Sequence, residues 1–480
     1  MVFSAPIFLF GFLPIALLTY YLSPNTSRNI VLLLMSLFFY AWGEVFYLGI
    51  MIASIISNYI FGRLIFGTQE NAHKKQIYLA LGISVNLGLL ISFKYANFIA
   101  DNISMLLTLL DFSPLSLEPI HLPLGISFFT FQAISYLVDV YRKEVHAQNN
   151  IINLALYISL FPQLIAGPIV RYHDVSSQIS CRSHSISLVS SGVQRFIMGL
   201  AKKMLVANPL GEVADNVFSL SGNDLTMPLS WIGILSYTFQ IYFDFSGYSD
   251  MAIGLGRMFG FRFHENFNYP YIAKSLREFW KRWHISLSTW FRDYVYIPLG
   301  GSRDSRLRVY RNLLVVFLLT GLWHGASWNF VIWGLFHGFF LASEHMGFSA
   351  ILNKAWKPIQ HLYLILITIA SWVFFRTETL TQAIDYFSAM GNIAKWPTTP
   401  LQFARVTSNE SIYLFGIGLI FSMPVYPWLK NRLSCFSENS VVNIAVLRHT
   451  PRLVFLSALL LLSIMKIASS TYNPFIYFRF

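Results

Sequence analysis

The sequence is poor in charged residues. Asp, Glu, Lys and Arg together make up 12% of its 480 residues, about half the roughly 25% that is usual for soluble globular domains. So few charges leave too little polar surface to solvate a water-facing protein of this size. The shortage excludes a disordered chain and a soluble nucleic-acid binder.

Cysteine is almost absent as well. Cys181 and Cys435 are the only two, and they lie far apart, without a CxxC pair or the Cys/His spacing of zinc sites. So few cysteines also exclude a secreted disulfide scaffold. They support neither a thiol relay nor a metal centre, so no metal is expected.

Hydrophobic residues are abundant instead, at 55% of the chain, and aromatic residues contribute 17%. Apolar stretches long enough to cross ~30 Å of hydrocarbon recur along the sequence. They lie near residues 5–22, 30–47, 45–62, 77–93, 122–140, 152–170, 228–248, 312–346, 360–376, 411–429 and 452–468. About ten to twelve membrane helices fit. We therefore predict one all-α, polytopic membrane domain over residues 1–480.

Several of these stretches are interrupted by proline or glycine. Pro123 and Gly125 interrupt one stretch, and Pro162, Gly167 and Pro168 interrupt the next. Within a bilayer, such breaks are tolerated only where protein or a water-filled cavity satisfies the freed backbone groups. We therefore expect short or re-entrant segments around an interior chamber. The first stretch has no small-residue cleavage site, which favours a retained span over a signal peptide.

The net charge of +12 is concentrated in residues 257–311, which hold eleven Lys or Arg and four acids. Basic residues favour the cytoplasmic face of membrane proteins, so this segment is expected to face the cytoplasm. Trp283 and Trp290, seven residues apart, favour amphipathic helices at the membrane interface. Topology alone accounts for the charge. The alternative is an anionic ligand, such as a phosphate-rich acyl carrier, that is drawn to the arginines.

Two histidines lie in distinctive surroundings. His324, in "LLTGLWHGASWNFVIWGLFHG", lies about twelve residues, or ~18 Å of helix, into an apolar run that starts at Asn312. An ionisable group at that depth is costly and is by default a functional hypothesis. Histidine suits general-base catalysis on a hydroxyl near neutral pH. The alternative is a core histidine that is bonded to a neighbouring carbonyl or hydroxyl.

The other polar candidates are less distinctive. His284 lies where the basic segment meets the membrane and would contact substrate, orient the second histidine, or simply pack at the interface. On a continuous helix His337 faces away from His324, which favours a structural role. Asp244 and Asp250, six residues apart, do not share a helix face, so we expect them to bond Tyr, Ser or Arg partners around a cavity. A proton-coupled transporter would also use such aspartates.

The C-terminal segment 469–480, "SSTYNPFIYFRF", is unusually aromatic. Because chain ends are usually polar and frayed, we expect this one to insert into the protein or the membrane interface. The hydroxyl of Tyr477 could accept an acyl group. An interfacial aromatic anchor is the alternative.

The motifs around these residues resemble the membrane-bound O-acyltransferases, specifically their bacterial alginate O-acetylase branch, with the D-alanyl transferases as close cousins. The resemblance is strongest over 1–346, in motifs such as "FPQLIAGPIVRYHD" (161–174), "FDFSGYSDMAIGLGRMFGF" (243–261) and "TGLWHGASWNFVIWGLFHG" (320–338). It implies a helical shell around a funnel, with the family's motif histidine, here His324, at the narrow point. The second motif histidine corresponds to His284.

The resemblance implies a multi-pass O-acetyltransferase of the bacterial inner membrane. It would take acetyl from acetyl-CoA or another cytoplasmic thioester and pass it outward for O-acetylation of an exported polysaccharide such as alginate. His324 would be the general base and His284 would shape or polarise the site. Tyr477 would be an acyl relay, by similarity to the aromatic tail of a small partner in the D-alanyl system. The remaining candidates would line the site or hold donor phosphates: Trp323, Asn329, Arg277, Arg282 and Arg292.

The implied partners are the lipid bilayer, a periplasmic hydrolase-like protein for the final transfer, and the machinery of polysaccharide synthesis and export. No bound cofactor, metal or nucleic acid is implied. Three alternatives stay open: D-alanyl-type transfer from a carrier protein, a multi-span transporter without acyl chemistry, and a non-catalytic scaffold. A transporter would often show inverted repeats, which the sequence does not.

Overall fold

The computed structural model describes residues 1–68, 70–222, 224–396, 398–425, 427–429 and 444–476. Over these residues the chain is helical and has no strand, as predicted. By length and composition, four described helices can cross a membrane, and three shorter ones are also apolar. The four are Leu48–Gly67, Ala72–Leu109, Lys357–Arg376 and Thr450–Ser469; the three are Ile7–Leu22, Arg28–Ala41 and Asn409–Phe421.

The first six helices form the N-terminal part of the shell. A π-helical turn, Ile7–Phe12, leads into the first of them, and another, Ile91–Tyr95, joins the fourth to the fifth. The helices are α1 (Leu13–Leu22), α2 (Arg28–Ala41), α3 (Leu48–Gly67), α4 (Ala72–Leu90), α5 (Ala96–Leu109) and α6 (Ile126–Arg142). Gly125 precedes α6 with φ 75°, and a Cβ there would lie 2.6 Å from the Leu164 carbonyl oxygen. Glycine is therefore required where this stretch was expected to break.

The next helices include the broken stretch around Pro162. Helix α7 ends after nine residues, the chain turns at Leu160, and Pro162 is the second residue of a four-residue helix that is entirely buried. The expected interruption is therefore present, and its backbone lies inside the protein. The helices are α7 (Ile151–Ser159), α8 (Phe161–Leu164), α9 (Tyr172–Ser180), α10 (Ile186–Ala201), α11 (Asn208–Phe218) and α12 (Met227–Met258).

Helices α10 and α12 pack backbone against backbone in the core. A Cβ at Gly254 would lie 2.6 Å from the Gly192 carbonyl oxygen, and one at Gly247 would lie 2.8 Å from that of Gly199. Small residues allow this close approach. The aspartates on α12 are paired. Asp250 pairs with Arg195, a partner of the expected type, and with Lys202, whereas Asp244 pairs with a lysine, Lys203, which was not expected.

The basic segment 257–311, for which amphipathic interfacial helices were predicted, includes two short α-helices between the end of α12 and the start of the next long helix at Arg306. They are α13 (Leu276–Trp280) and α14 (Ile285–Phe291). Trp283 and Trp290 are buried among protein side chains, with 3% and 4% of their surfaces exposed. Trp283 stacks on Phe279 at 5.5 Å between ring centroids. Tertiary packing of aromatic rings therefore replaces the amphipathic arrangement that the spacing predicts.

The apolar run that contains His324 is a helical hairpin, which corrects the expectation of a continuous helix. Helix α15 (Arg306–His324) ends at the histidine and α16 (Trp328–Ser343) runs back against it. Gly321 and Gly334 allow the contact, because a Cβ on either would overlap a backbone carbonyl of the other helix. A Cβ on Gly325 would overlap the ring of Phe330. The angle calculated between His324 and His337 therefore does not apply.

The remaining helices close the shell and lead to the aromatic segment. They are α17 (Ser349–Lys354), α18 (Lys357–Arg376), α19 (Leu380–Gly391), α20 (Pro400–Val406), α21 (Asn409–Phe421) and α22 (Ile444–Ser469). After α22 the chain inserts into the protein: Phe475 and Ile476 are 4% and 5% exposed. The Ile476 amide donates to Asp244 at 3.0 Å. Insertion is thus confirmed for the described part of this segment, and Tyr477 lies outside the described residues.

Candidate active site

His324 is the last residue of α15 and is almost completely buried, with 5% of its surface exposed. Aromatic rings surround it, with centroid distances of 5.0 Å to Trp323, 4.9 Å to Trp333 and 5.1 Å to Phe375. Its Nδ1 atom is buried and makes no hydrogen bond to any described residue. A buried polar atom without a protein partner is uncommon and calls for a ligand or water.

A cavity of about 460 Å³, called cavity A here, reaches this histidine. Its lining combines apolar residues with a few ionisable groups. Among them, His121 Nε2 lies 3.2 Å from the Glu44 carboxylate. The ionisable and aromatic residues that line cavity A are Glu44, Lys94, His121, Phe128, Trp323 and His324. A molecule of small-ligand size could therefore reach His324 in cavity A.

A second cavity, cavity B, has a volume of about 360 Å³ and opens beside the middle of α15, where Leu313, Val316 and Phe317 line it. It is lined by three cations, Arg277, Lys281 and Arg292, and no acid is among its lining residues. Thr320 also lines it, and this residue lies four positions before His324, or ~6 Å along the helix. The two cavities therefore approach one another along α15.

Aromatic rings separate the cavities. Phe131 stacks on Trp290 at 3.8 Å and lies 5.6 Å from Phe291, which lines cavity B. On its other side Phe131 lies 5.5 Å from Trp323, which lines cavity A. The Trp323 ring in turn lies 5.0 Å from that of His324.

His284 lies at the start of α14 and is fully buried. Its backbone is left-handed, with φ 43°, which is uncommon for a residue other than glycine. Asn266 holds this turn: its side-chain oxygen lies 3.2 Å from His284 Nδ1 and accepts from the Ser286 amide at 3.1 Å. The His284 ring is 6.0 Å from Trp323. Its Nε2, like His324 Nδ1, is buried without a hydrogen bond to any described residue.

The other sequence candidates divide between the cavities and the surrounding structure. Trp323 lines cavity A, while Arg277 and Arg292 line cavity B. Arg282 instead pairs with Glu278 and is not among the residues that line cavity B. Asn329 donates to the Thr377 carbonyl at 2.7 Å, which ties α16 to the end of α18.

Lys94 and Asn266 are two site residues that the sequence did not predict; Glu44 and His121 in cavity A and Lys281 in cavity B were not predicted either. The Lys94 ammonium donates to Ser127 Oγ and to the carbonyls of Trp323 and His324. A lysine inside an apolar stretch indicates a functional site, because a charge there is costly. The position of Asn266 has no such signal, because its role depends on the turn at His284.

An ionic cluster lies between α6 and α9, away from both cavity linings. His173 Nδ1 lies 2.9 Å from Asp139, and its Nε2 lies 3.2 Å from Asp174. Hydrogen bonds to Asp139 and Asp174 raise the pKa of His173 to about 9. Asp139, Glu144 and His173 are close enough together to share a metal ion. However, Tyr294 and His173 already donate to the Asp139 carboxylate, so the contacts describe an ion-pair network.

These features define a multi-pass, all-helical membrane protein with a buried histidine between two cavities. The chain belongs to the membrane-bound O-acyltransferase (MBOAT) family, whose model matches residues 37–377. It is therefore an acyltransferase, and the resemblance of its motifs to this family is confirmed.

Three relatives illustrate the similarity. The "Probable alginate O-acetylase AlgI" of Azotobacter vinelandii is 42% identical, and the alignment covers both chains completely. The protein of the same name from Pseudomonas aeruginosa is 39% identical, again over both complete chains. The "Peptidoglycan O-acetyltransferase" of Helicobacter pylori is 34% identical over all of this chain and 98% of the relative.

Proposed function

We propose that this protein is an O-acetyltransferase of the bacterial inner membrane that moves acetyl from a cytoplasmic thioester, such as acetyl-CoA, to an exocellular polysaccharide. The observation that carries the proposal is His324, which lines cavity A about one helical turn from the wall of cavity B. The names of the relatives, alginate O-acetylase and peptidoglycan O-acetyltransferase, support acetyl as the group and a polysaccharide as the final acceptor.

Cavity B is the proposed donor site. Its three cations and lack of acids suit the phosphates of coenzyme A or of a phosphopantetheine carrier, because guanidinium groups bind phosphate in a bidentate manner. Basic residues also favour the cytoplasmic face, where these thioesters are made. The thioester would pass the aromatic wall at Phe131 and bring its acyl carbon to His324.

In the proposed chemistry, His324 takes the proton of the acceptor hydroxyl as its oxygen attacks the acyl carbon. The carbon–sulfur bond then breaks, and the departing thiolate receives from His324 the proton that the imidazole took. His284, whose Nε2 has no partner among the described residues, would hydrogen-bond the thioester carbonyl and polarise it. Neither role needs a metal or a bound cofactor.

Tyr477 is the proposed first acceptor. The residue before it, Ile476, is buried and bonded to Asp244 on α12, and the neighbouring Phe245 ring lies 4.6 Å from His284. The acetylated tyrosine would then supply a periplasmic hydrolase-like partner, which transfers the group to the polysaccharide. That partner and the export machinery account for acceptor choice.

The test is acetyl transfer by the purified, detergent-solubilised protein with radiolabelled acetyl-CoA. Both CoA release and protein-bound label are measured for wild type, His324→Ala and Tyr477→Phe, with the exposed His73→Ala as control. We expect His324→Ala to lower CoA release by roughly 10²–10⁴-fold, because that is the usual contribution of a general base. We expect Tyr477→Phe to abolish protein-bound label.

The outcomes separate the alternatives. Release at the wild-type rate in His324→Ala refutes the proposed role of His324 as the general base. If a D-alanyl carrier protein is turned over and acetyl-CoA is not, the proposed donor is wrong and the proposed site stands. Label retained in Tyr477→Phe refutes the relay alone.

A further inference from the structure

The carbonyl groups that end the helix carrying His324 are held by two adjacent side chains. The last carbonyls of any helix lack partners within the helix, and here α15 ends inside the protein. The Tyr95 hydroxyl donates to the Leu322 carbonyl at 2.6 Å. The Lys94 ammonium donates to the Trp323 carbonyl and, at 3.3 Å, to that of His324. Three consecutive terminal carbonyls are thus satisfied.

Lys94 is fully engaged in this arrangement. Its third donor reaches Ser127 Oγ at 3.2 Å, so each of the three N–H groups of the ammonium has an acceptor. The charge lies at a helix C-terminus, where a cation is stabilised by the helix dipole, and 5.8 Å from the Trp323 ring centroid. A lysine in an apolar helix is costly unless such partners are present.

The backbone that presents this pair is itself irregular. Lys94 and Tyr95 end the π-helical turn Ile91–Tyr95, and such turns occur frequently at functional sites. Lys94 also lines cavity A together with His324. The turn therefore brings a cation to the wall of the cavity and to the end of α15 at once.

We propose that Lys94 is a positioning residue for acyl transfer, which fixes the last turn of α15 and so the direction of the His324 imidazole in cavity A. The inference rests on the proposed role of His324. After His324 the chain leaves the helix, since Gly325 is extended, so no following turn holds the histidine in place. A general base acts only within hydrogen-bond reach of its proton, and a displacement of ~1 Å is able to cost about 100-fold in rate.

The experiment compares Lys94→Met and Lys94→Arg with a matched control, Lys75→Met. Lys75 is also buried, donates to the Tyr141 carbonyl near the end of α6, and lies 4.6 Å from the Tyr141 ring. It does not line cavity A. The control thus removes the same kind of helix-end contact away from His324.

We expect Lys94→Met to lower kcat for CoA release about 100-fold with little change in the KM for acetyl-CoA, because orientation and not donor binding is lost. Lys94→Arg, which keeps the charge and several donors, should recover at least about a tenth of the wild-type kcat. Lys75→Met should stay within about twofold of wild type. An equal loss in Lys75→Met and Lys94→Met overturns the proposal.

A double-mutant cycle tests whether Lys94 acts through His324. In the His324→Ala background, Lys94→Met should cause no further loss, because residues that act as a unit are not additive. A further loss of about 100-fold in that background shows an independent effect and overturns the proposal. If Lys94→Met does not give a monodisperse protein, Lys94→Gln, which retains one donor group, is used in the same cycle.

The two proposals fail in different ways. Wild-type activity in His324→Ala refutes the proposed function. An inactive His324→Ala together with a normal kcat in folded Lys94→Met refutes only the role of Lys94.

Discussion

The ion pair between Lys203 and Asp244 should be the most sensitive polar contact outside the active site. Lys203 Nζ lies 2.8 Å from Asp244 Oδ1, and the two side chains are only 3% and 1% exposed. The pair also holds the segment after α22, because Lys203 donates to the Pro474 carbonyl and Asp244 accepts from the Ile476 amide. Asp244→Asn would keep the shape of the side chain and leave the lysine charge buried without its counter-ion.

Removing one partner of a buried pair usually costs ~3–5 kcal/mol, and the weakened hydrogen bond to the Ile476 amide adds ~1 kcal/mol. We therefore expect Asp244→Asn to destabilise the protein by about 4–6 kcal/mol. The double variant Lys203→Met/Asp244→Leu buries no charge and should be clearly more stable than the single variant.

Thermal unfolding in one detergent, followed by tryptophan fluorescence and by recovery of the monodisperse fraction, measures this order. Wild type should melt highest, with the double variant next and Asp244→Asn lowest. The reasoning is wrong if Asp244→Asn melts like wild type, or if the double variant is no better than the single one.

Three further predictions concern stability in other parts of the fold. Gly334→Ala should destabilise by ~1–3 kcal/mol, because its methyl group overlaps a carbonyl of α15 and forces the hairpin apart. Gly88→Ala, which meets nothing within 4 Å, should stabilise α4 by ~0.5–1 kcal/mol. A higher melting temperature for Gly334→Ala, or a lower one for Gly88→Ala, would contradict the corresponding prediction. Because the pKa of His173 is raised from 6.5 to about 9, its stabilising contribution is complete below pH 6.5 and is lost as the pH rises through about 9. The melting temperature of wild type should therefore fall more steeply between about pH 7 and 10 than that of His173→Gln, and parallel curves would exclude this contribution.

The all-helical fold class was predictable because the lipid bilayer offers no hydrogen-bonding partners to the backbone. Long apolar stretches with few charges have one common solution in a bilayer, which is helices whose backbone groups bond internally. The breaks at Gly125 and Pro162 were predictable for a local reason. Glycine permits backbone conformations that other residues avoid, and proline fixes φ and lacks an N–H donor, wherever they occur. Both breaks are present in the structure.

The hairpin at His324 was not predictable from hydrophobicity. The sequence stays apolar through the turn after Gly325, and a hydropathy pattern cannot distinguish one long helix from two antiparallel ones. The turn depends on contacts across it, where Gly321 meets Gly334 and the Phe330 ring occupies the space beside Gly325. The same limit applies to Trp283, which is buried by aromatic neighbours that spacing alone does not identify.

Lys94 could have been predicted as a functional residue on the same ground as His324. Both are ionisable residues within long apolar stretches, and the cost of such a group makes each one a functional hypothesis. Because of that cost the lysine must have partners, but the sequence does not identify them. Backbone carbonyls in particular leave no sequence signal, because every residue has a carbonyl group. Its acceptors, Trp323 and His324, lie about 230 positions further along the chain. For Lys94 these partners are the last carbonyls of a helix that ends inside the protein, and the residue that ends this helix is His324.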